Sequence, residues 1–285
     1  MQLLDGKAAA AALRARVKKG VDALKSAHGV TPGLGVILVG DDPASRVYVS
    51  MKEKACAEAG IRSISHRFDD DATQQEIEDL VRALNADPEV HGILVQDPLP
   101  GKLDIAPINA LIQPEKDVDG VGAISMGRIL LDEPGYQACT ARGILELLAH
   151  YQIALKGKKC VVVGRSITVG KPAALLALRQ HATVTVCHSR TENLAAEVRS
   201  ADVLIAAIGK AEFIRGEWIK PGAVVVDAGY NRIEGRKGDV GDVEFAGAAE
   251  RASWITPVPG GVGPMTIAVL IQQTLESAQR SVKAK

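Results

Sequence analysis

Tyr48 and Lys52 form the first pair of residues whose types and spacing could do chemistry. The stretch from Pro43 to Ala59 is predicted to be a helix, and residues four apart on a helix project from the same face. A lysine in a partly desolvated cleft can transfer protons, and a tyrosine can stack on a flat ligand or donate a hydrogen bond. An exposed tyrosine–lysine pair without a role is also ordinary, so the spacing alone leaves both interpretations open.

A second candidate site is the loop after residues 159–163, a hydrophobic run predicted to be a strand. Gly164 and Gly170 bracket a turn of mostly small residues, and a helix is expected to begin near Pro172. Such a turn lets backbone N–H groups and the helix N-terminus approach a pyrophosphate. The glycines are spaced G-x5-G instead of G-x-G-x-x-G, so a tight turn without a ligand stays an alternative.

The end of the next predicted strand bears on the choice of dinucleotide. An NAD site expects an acidic residue there, about 20 residues after the glycine loop, to bind the ribose 2′-hydroxyl. Residues 187–191 read Cys-His-Ser-Arg-Thr instead. With Arg165 in the loop, Ser189 and Arg190 would form a basic, hydroxyl-bearing pocket for a 2′-phosphate, which favours NADP over NAD. In the alternative interpretation both arginines simply face solvent.

The elements that must position these residues follow a regular pattern. Short runs rich in Val, Ile and Leu alternate with helical stretches, which predicts the α/β class with a mostly parallel sheet. The length of 285 residues fits two domains of ~150 residues each. The predicted strands are 34–39, 63–68 and 92–96 in the first half, and 159–163, 182–187, 203–208 and 223–227 in the second.

Local sequence signals mark two helix starts and a boundary between two domains. Asp42 with Pro43 marks one helix start, and Thr73 with Glu76 forms a capping box at another. The pattern is interrupted within 132–140, and a new helix is expected near Gly143. We predict one domain over residues 1–138, completed by a C-terminal helix within 265–285, and a second domain over residues 139–264.

Composition excludes several classes of function. Hydrophobic residues make up 47% and charged residues 24%, and 34 basic residues balance 34 acidic ones. This is globular composition, and it disfavours nucleic acid as a partner. The longest apolar runs fall far short of the ~20 residues that span a bilayer, so no membrane partner is expected.

The cysteines and histidines give no sign of a disulfide framework or a metal site. Four cysteines, at positions 56, 139, 160 and 187, lie in separate segments without a CxxC pair, so they are predicted to be reduced core residues. The six histidines lack ligand spacing, so no metal is expected. The N-terminus is typical of an amphipathic helix and not of a secretory signal, which favours a cytoplasmic location.

Three further segments carry a family resemblance. Residues 95–100 read Val-Gln-Asp-Pro-Leu-Pro, residues 114–120 read Pro-Glu-Lys-Asp-Val-Asp-Gly, and residues 257–266 read Pro-Val-Pro-Gly-Gly-Val-Gly-Pro-Met-Thr. With the Tyr48–Lys52 pair and the Gly164 loop, in this order, the chain resembles the bifunctional methylenetetrahydrofolate dehydrogenase/methenyltetrahydrofolate cyclohydrolase family. The resemblance runs from about Asp5 to about Leu275.

The resemblance implies a homodimeric enzyme that acts on tetrahydrofolate derivatives, which bind in a cleft between the two domains. On the substrate side it implies that Lys52 is the central catalytic residue and that Gln96 is its hydrogen-bonding partner. Tyr48 would lie against the folate ring system and also assist catalysis. Asp119 would bind the amino-pyrimidine edge of the pterin, and residues Pro259, Gly260 and Gly261 would contact the substrate.

On the cofactor side the resemblance implies a Rossmann-like parallel sheet that binds NADP. Gly164, Arg165 and Ser166 match the phosphate-binding turn, and Ser189 matches the residue near the 2′-phosphate. Tyr230 stands beside the cofactor where the family usually has isoleucine. The implied reactions are oxidation of 5,10-methylenetetrahydrofolate to the methenyl cation with NADP, and hydrolysis of that cation to 10-formyltetrahydrofolate.

Two other departures from the family pattern qualify these assignments. Asp97 replaces the usual leucine after Gln96 and could alter the balance of the two activities or their pH profile. Ala141 stands where proline is common, which bears on loop stiffness.

The competing functions are a cyclohydrolase that has lost hydride transfer and a binding module without catalysis. A short-chain dehydrogenase is disfavoured because its Tyr–Lys pair follows the glycine loop, whereas here the pair precedes Gly164.

Overall fold

The computed structural model describes residues 1–236 and 238–283 of the chain. By their internal contacts these residues form two compact units. Unit 1 consists of Met1–Ala10 and Ala138–Thr266, and unit 2 consists of Ala11–Gln137 and the chain from Ile267 onward. The resemblance implies that residues 1–138 with the C-terminal helix form the folate-side domain and that residues 139–264 form the NADP-binding domain, and this assignment stays a prediction.

Strands and helices alternate through both units, which confirms the predicted α/β class. In chain order the elements are β1 (Gln2–Leu3), α1 (Gly6–His28), β2 (Gly33–Val39), α2 (Pro43–Ala59), β3 (Arg62–Phe68), α3 (Gln74–Ala86), β4 (Gly92–Val95), α4 (Ile105–Leu111), α5 (Ala123–Leu130), α6 (Cys139–His150), β5 (Lys159–Val163), α7 (Gly170–Arg179), β6 (Thr183–Cys187), α8 (Leu194–Ser200), β7 (Val203–Ala206), β8 (Val224–Asp227), β9 (Asn231–Arg232), β10 (Asp239–Val240), α9 (Phe245–Ala249), β11 (Trp254–Ile255) and α10 (Val262–Lys283).

Unit 2 is built on a parallel sheet of three strands in the order β3-β2-β4. All seven residues of the central strand β2 are buried, as expected for a parallel strand covered on both faces. The predicted helix signals are confirmed: the Asp42 carboxylate accepts from the Ser45 N–H at 2.7 Å, and Thr73 and Glu76 form the capping box. Both helices therefore begin where the sequence indicates.

Unit 1 is built on a parallel sheet of six strands in the order β1-β11-β8-β7-β5-β6. The central strands β7 and β8 are buried throughout. Val161, Leu204 and Val225, from three neighbouring strands, belong to one buried hydrophobic cluster. The predicted parallel sheet of the second half is confirmed, with two more strands than the sequence indicated.

Several boundaries differ from the prediction for physical reasons. Helix α6 begins at Cys139 and not near Gly143. The sequence does not mark this start, because Ala138 before it has no capping side chain. Strand β7 ends at Ala206, since the N–H groups of Ile208 and Gly209 donate to the Asp242 carboxylate and not to a neighbouring strand. Strands β1 and β11 are two residues each, too short to show periodicity.

All four cysteines are buried and none of them forms a disulfide, which confirms the predicted core thiols. Burial raises the pKa of the Cys56 and Cys160 thiols to about 12, so both are protonated at neutral pH. Among the helices of the described chain, no stretch is both long and apolar enough to cross a membrane.

Lys116 closes the C-terminal end of α3 in unit 2. Its Nζ donates to the carbonyl oxygens of Leu84, Asn85 and Asp87 at 2.9, 2.8 and 2.7 Å. The last carbonyls of a helix have no partner within the helix, so an ammonium group there satisfies them and interacts favourably with the helix dipole. Burial lowers the pKa of Lys116. The lysine thus ties α3 to the segment that carries Asp119.

We expect Lys116→Met to reduce the free energy of unfolding by about 1–3 kcal/mol, because it leaves the helix-end carbonyls without their charged donor. Urea denaturation measures this change. Lys102→Met, which removes an exposed ammonium in the same unit, is the control and should leave stability nearly unchanged. Equal stability of both variants would show that the three hydrogen bonds contribute nothing net.

Candidate active site

Lys52 lies on the buried face of α2 and is only 9% exposed. Its Nζ donates to Gln96 Oε1 at 2.8 Å. Gln96 directly follows β4, so the pair joins a helix to the carboxyl end of a neighbouring strand. The interpretation of Lys52 as an ordinary exposed residue is wrong. Tyr48 is half-buried one turn earlier on the same helix.

The Gln96 side chain is held in one orientation by two contacts. Its Nε2 donates to the backbone carbonyl of Asp97 at 2.7 Å, which leaves Oε1 to accept from Lys52. The Gln96 backbone N–H donates to the Ile37 carbonyl at 2.9 Å, so the residue stays attached to β2. A neutral amide favours the charged form of a lysine less than a carboxylate would, so this partner suits a lysine that exchanges protons.

Asp117 shapes the turn that carries Asp119. Asp117 is 3% exposed, and its carboxylate accepts from the N–H groups of Gly120 and Gly122 at 3.1 and 3.0 Å and from the Ser125 hydroxyl at 2.6 Å. Burial raises the pKa of Asp117. Asp119 is half-buried two residues later. The two aspartates of the segment thus differ in burial, and Asp117 is committed to the protein's own backbone.

The glycine turn after β5 is as tight as the sequence indicates. Gly164 has φ +135°, and a Cβ built on it would overlap the Ala207 carbonyl oxygen. A Cβ on Gly170 would overlap the Gly164 carbonyl oxygen. The Ser166 hydroxyl accepts from the N–H groups of Val169 and Gly170 at 3.1 and 3.2 Å, which caps the start of α7.

The same turn offers unused backbone donors. Within residues 1–236 and 238–283, the backbone N–H groups of residues 165–168 have no hydrogen-bond acceptor. Consecutive free N–H groups before a helix form a concave site for an anion. The turn therefore fits a pyrophosphate group, and a side chain at Gly164 would disrupt it.

The loop after β6 is ordered around His188. The His188 N–H donates to the Thr191 hydroxyl at 2.8 Å, and His188 Nδ1 accepts from the Arg190 N–H at 3.1 Å. Ser189, Arg190 and, in the glycine turn, Arg165 are all exposed. Their exposure is compatible with binding a 2′-phosphate and with facing solvent, so the role of these residues stays a prediction.

The remaining predicted residues also lie in unit 1. The Tyr230 side chain is 53% exposed, and its hydroxyl donates to the Asp239 carboxylate at 2.6 Å. Pro259 is exposed, whereas Gly260 and Gly261 are buried. A Cβ on Gly261 would lie 2.6 Å from the Thr256 Cβ, so close packing within unit 1 is one reason for this glycine.

Sequence reasoning missed a pair of buried aspartates at the carboxyl edge of the unit 1 sheet. Asp227 ends β8 and is 3% exposed, and Asp242 follows β10 and is completely buried. An acidic residue that ends an otherwise apolar strand, as in Val-Val-Val-Asp at residues 224–227, was the available signal. Across the described part of the chain, no group of three or more His, Cys, Asp or Glu residues is placed to hold a metal ion.

Two family models together match most of the chain. The catalytic-domain model of tetrahydrofolate dehydrogenase/cyclohydrolase matches residues 4–119, and the NAD(P)-binding-domain model of the same enzyme matches residues 138–282. The chain belongs to the tetrahydrofolate dehydrogenase/cyclohydrolase family. The resemblance noted from the sequence motifs is therefore confirmed.

Relatives of this family match the chain over nearly its whole length. The bifunctional protein FolD of Pelobacter propionicus is 56% identical over 98% of both chains. The crystal structure of bifunctional FolD, methylenetetrahydrofolate dehydrogenase/cyclohydrolase, from Campylobacter jejuni is 46% identical, with a TM-score of 0.95 and coverage of 98% of this chain and 99% of that one. The Trypanosoma brucei enzyme, complexed with NADP cofactor and inhibitor, is 38% identical, with a TM-score of 0.94 and coverage of 98% and 97%.

The titration of Asp227 in this family member should be visible in its stability. Burial raises the pKa of Asp227 to about 6, although N–H donors from Gly229, Asp242 and Val243 favour the carboxylate. Because the folded state binds this proton more tightly than the unfolded state, the contribution of Asp227 to stability is present below pH 4 and is lost as pH rises towards 6.

We therefore expect the stability difference between wild type and Asp227→Asn to shrink between pH 4 and pH 7, by on the order of 3 kcal/mol. Urea denaturation across this range measures the difference. Asp202→Asn is the control, because the Lys220 hydrogen bond lowers the pKa of Asp202, so its contribution is lost only below about pH 4 and the difference from wild type should stay nearly constant between pH 4 and pH 7. A constant difference for Asp227→Asn would show that this carboxyl does not titrate in the range.

Proposed function

We propose that this protein is a bifunctional enzyme of folate one-carbon chemistry. It oxidises 5,10-methylenetetrahydrofolate to 5,10-methenyltetrahydrofolate with NADP, and it hydrolyses the product to 10-formyltetrahydrofolate. Membership of the family supports both activities. The observation that carries the hydrolytic assignment is the hydrogen bond between the buried Lys52 and Gln96.

The oxidation requires mainly orientation from the protein. NADP, when bound, supplies the acceptor for the hydride that leaves the methylene carbon. The substrate's own nitrogen lone pair assists that departure, so no strong protein acid or base is needed. Asp119 binds the amino-pyrimidine edge of the pterin, Tyr48 lies against the ring system, and residues 259–261 contact the substrate.

The cofactor is held by residues of unit 1. The turn at Gly164, Arg165 and Ser166 binds the pyrophosphate, and the backbone N–H groups of residues 165–168, which have no acceptor within the described residues, support this role. Arg165 and Ser189 bind the 2′-phosphate, and Tyr230 lies beside the cofactor. An arginine can pair with a phosphate by two parallel hydrogen bonds, and this contact has no counterpart in NAD.

Hydrolysis requires a group that moves protons. Water adds to the methenyl carbon and gives up both of its protons as the formyl C=O forms, while the bond from this carbon to one ring nitrogen breaks and that nitrogen takes up one proton. The net reaction consumes one water and releases one proton. Lys52 Nζ is the group that holds and transfers protons in these steps, and Gln96 Oε1 keeps it in place at 2.8 Å.

We also propose that the enzyme works as a homodimer in the cytoplasm. The family resemblance supports the dimer, and the four buried cysteines, which form no disulfide, are compatible with a reducing compartment. A cyclohydrolase that has lost hydride transfer is the competing function. The intact glycine turn with its free N–H donors favours the bifunctional enzyme, because hydrolysis alone has no need of a pyrophosphate site.

Assays of both reactions test this proposal. Wild type should form NADPH from methylenetetrahydrofolate, measured by absorbance, and should hydrolyse methenyltetrahydrofolate. The Lys52→Met variant should hydrolyse methenyltetrahydrofolate about a hundredfold more slowly or worse, because the methionine side chain fills similar volume but has no group that transfers a proton. NADP binding and folding should be nearly unchanged.

Lys54→Met is the matched control, since Lys54 is exposed two residues away on the same helix. It should hydrolyse methenyltetrahydrofolate at the wild-type rate. Undiminished hydrolysis by Lys52→Met would refute the role of this lysine. Hydrolysis by wild type without NADPH formation would favour the competing hydrolase.

Cofactor choice gives a separate prediction. Arg165→Ala should lower the ratio of NADP to NAD efficiency in the dehydrogenase reaction by about tenfold or more, roughly 1.4 kcal/mol of differential binding. Steady-state kinetics with both cofactors measure the ratio, and hydrolysis of added methenyltetrahydrofolate should change much less. An unchanged ratio in a folded variant would mean that Arg165 faces solvent and that another residue, such as Arg190 or Lys171, contacts the phosphate.

A further inference from the structure

Asp242 is a completely buried carboxylate that the chemistry above does not use. Its Oδ2 accepts from the backbone N–H groups of Ile208 and Gly209, and its Oδ1 accepts from the Lys210 N–H at 2.8 Å and from Asn231 Nδ2 at 3.0 Å. Three successive backbone donors and one side-chain donor therefore converge on one group. Four donors that converge on one buried side chain need an acceptor that carries no N–H of its own.

The backbone that Asp242 holds lies against the glycine turn. The Ala207 N–H donates to the Val163 carbonyl at 2.8 Å, and the Ala207 carbonyl oxygen occupies the space where a Cβ of Gly164 would be. The loop of residues 207–210 is thus in direct contact with the turn proposed to bind the pyrophosphate. Any movement of this loop would change its contact with Gly164.

A second aspartate holds Asp242 itself. Asp227 Oδ1 accepts from the backbone N–H groups of Asp242 and Gly229 at 3.0 and 2.8 Å, and Asp227 Oδ2 accepts from the Val243 N–H at 2.8 Å. Gly229 directly precedes Tyr230 in the chain. The two carboxylates therefore connect the loop 207–210, the Tyr230 segment and the segment after β10.

We infer that Asp242 is a positioning residue for the dinucleotide: its carboxylate holds the loop 207–210 and Asn231 in the arrangement that the cofactor requires at the carboxyl edge of the sheet. This inference rests on the proposed function, since it assumes that NADP binds at the Gly164 turn. Asp242 itself acts only through the backbone and Asn231. An asparagine at this position would turn an N–H₂ group towards donors and break at least one of the four hydrogen bonds.

The test compares Asp242→Asn with a matched control. NADP affinity is measured by calorimetric titration, dehydrogenase kinetics give kcat and KM for NADP, and hydrolysis of added methenyltetrahydrofolate is measured without the cofactor. We expect Asp242→Asn to weaken NADP binding and raise its KM by about tenfold or more, with hydrolysis within about twofold of wild type. Asp202→Asn is the control, because Asp202 accepts from the Lys159 N–H and from Lys220 at the opposite edge of the same sheet.

Asp202→Asn should lower the thermal midpoint and leave NADP affinity within about twofold of wild type. Should Asp242→Asn not fold, Asn231→Ala is the second variant, which removes one donor to Asp242 and should weaken NADP binding by about threefold or more. Unchanged NADP affinity in a folded Asp242→Asn, or in Asn231→Ala, would overturn the inference. Equal weakening in Asp202→Asn would also overturn it, because the effect would then follow general stability.

The two proposals fail in different ways. If wild type neither binds nor reduces NADP, the proposed function fails. If wild type reduces NADP and the variants of Asp242 and Asn231 do so with unchanged affinity, only the positioning role fails.

Discussion

Backbone N–H groups in turns and loops of both units depend on three buried aspartates for their acceptors. Asp117 accepts hydrogen bonds from the turn after residue 118 in unit 2, while Asp227 and Asp242 accept them from the loops after β7, β8 and β10 in unit 1. A carboxylate can accept several donors at once and donates none, which suits it to loops that leave the sheet in different directions. Two of the proposed site residues, Asp119 and Tyr230, lie in the segments that these aspartates hold.

The fold was largely predictable from the sequence, because its long elements carry strong local signals. The apolar runs of β2 and β5, the capping box at Thr73 and the Asp42–Pro43 start each depend on neighbours in sequence. The two-residue strand β11 and the unmarked start of α6 gave no such signal. Their positions depend on pairing and packing between residues that are far apart in the chain.

The site was predictable as a set of residues but not as an arrangement. The four-residue spacing placed Tyr48 and Lys52 on one face, and the resemblance implied that Gln96, 44 residues later, is the partner of Lys52, yet only the structure shows that Lys52 is buried and how Gln96 is oriented. The structure also shows what the unusual Asp97 contributes to this site. The backbone carbonyl of residue 97, and not its side chain, orients the Gln96 amide, so the replacement of leucine by aspartate leaves this contact intact.

The pairing of β1 with β11 has a consequence for synthesis of the chain. The N–H groups of Gln2 and Leu4 donate to the carbonyls of Ser253 and Ile255, so β1 joins a strand that is synthesised long after it. At translation rates of about 5–20 residues per second, the residues of β1 wait on the order of 10–50 s for their partner. The sheet that carries the glycine turn is therefore completed only after β11 has been made, whereas β2, β3 and β4 are all available once Val95 has been made.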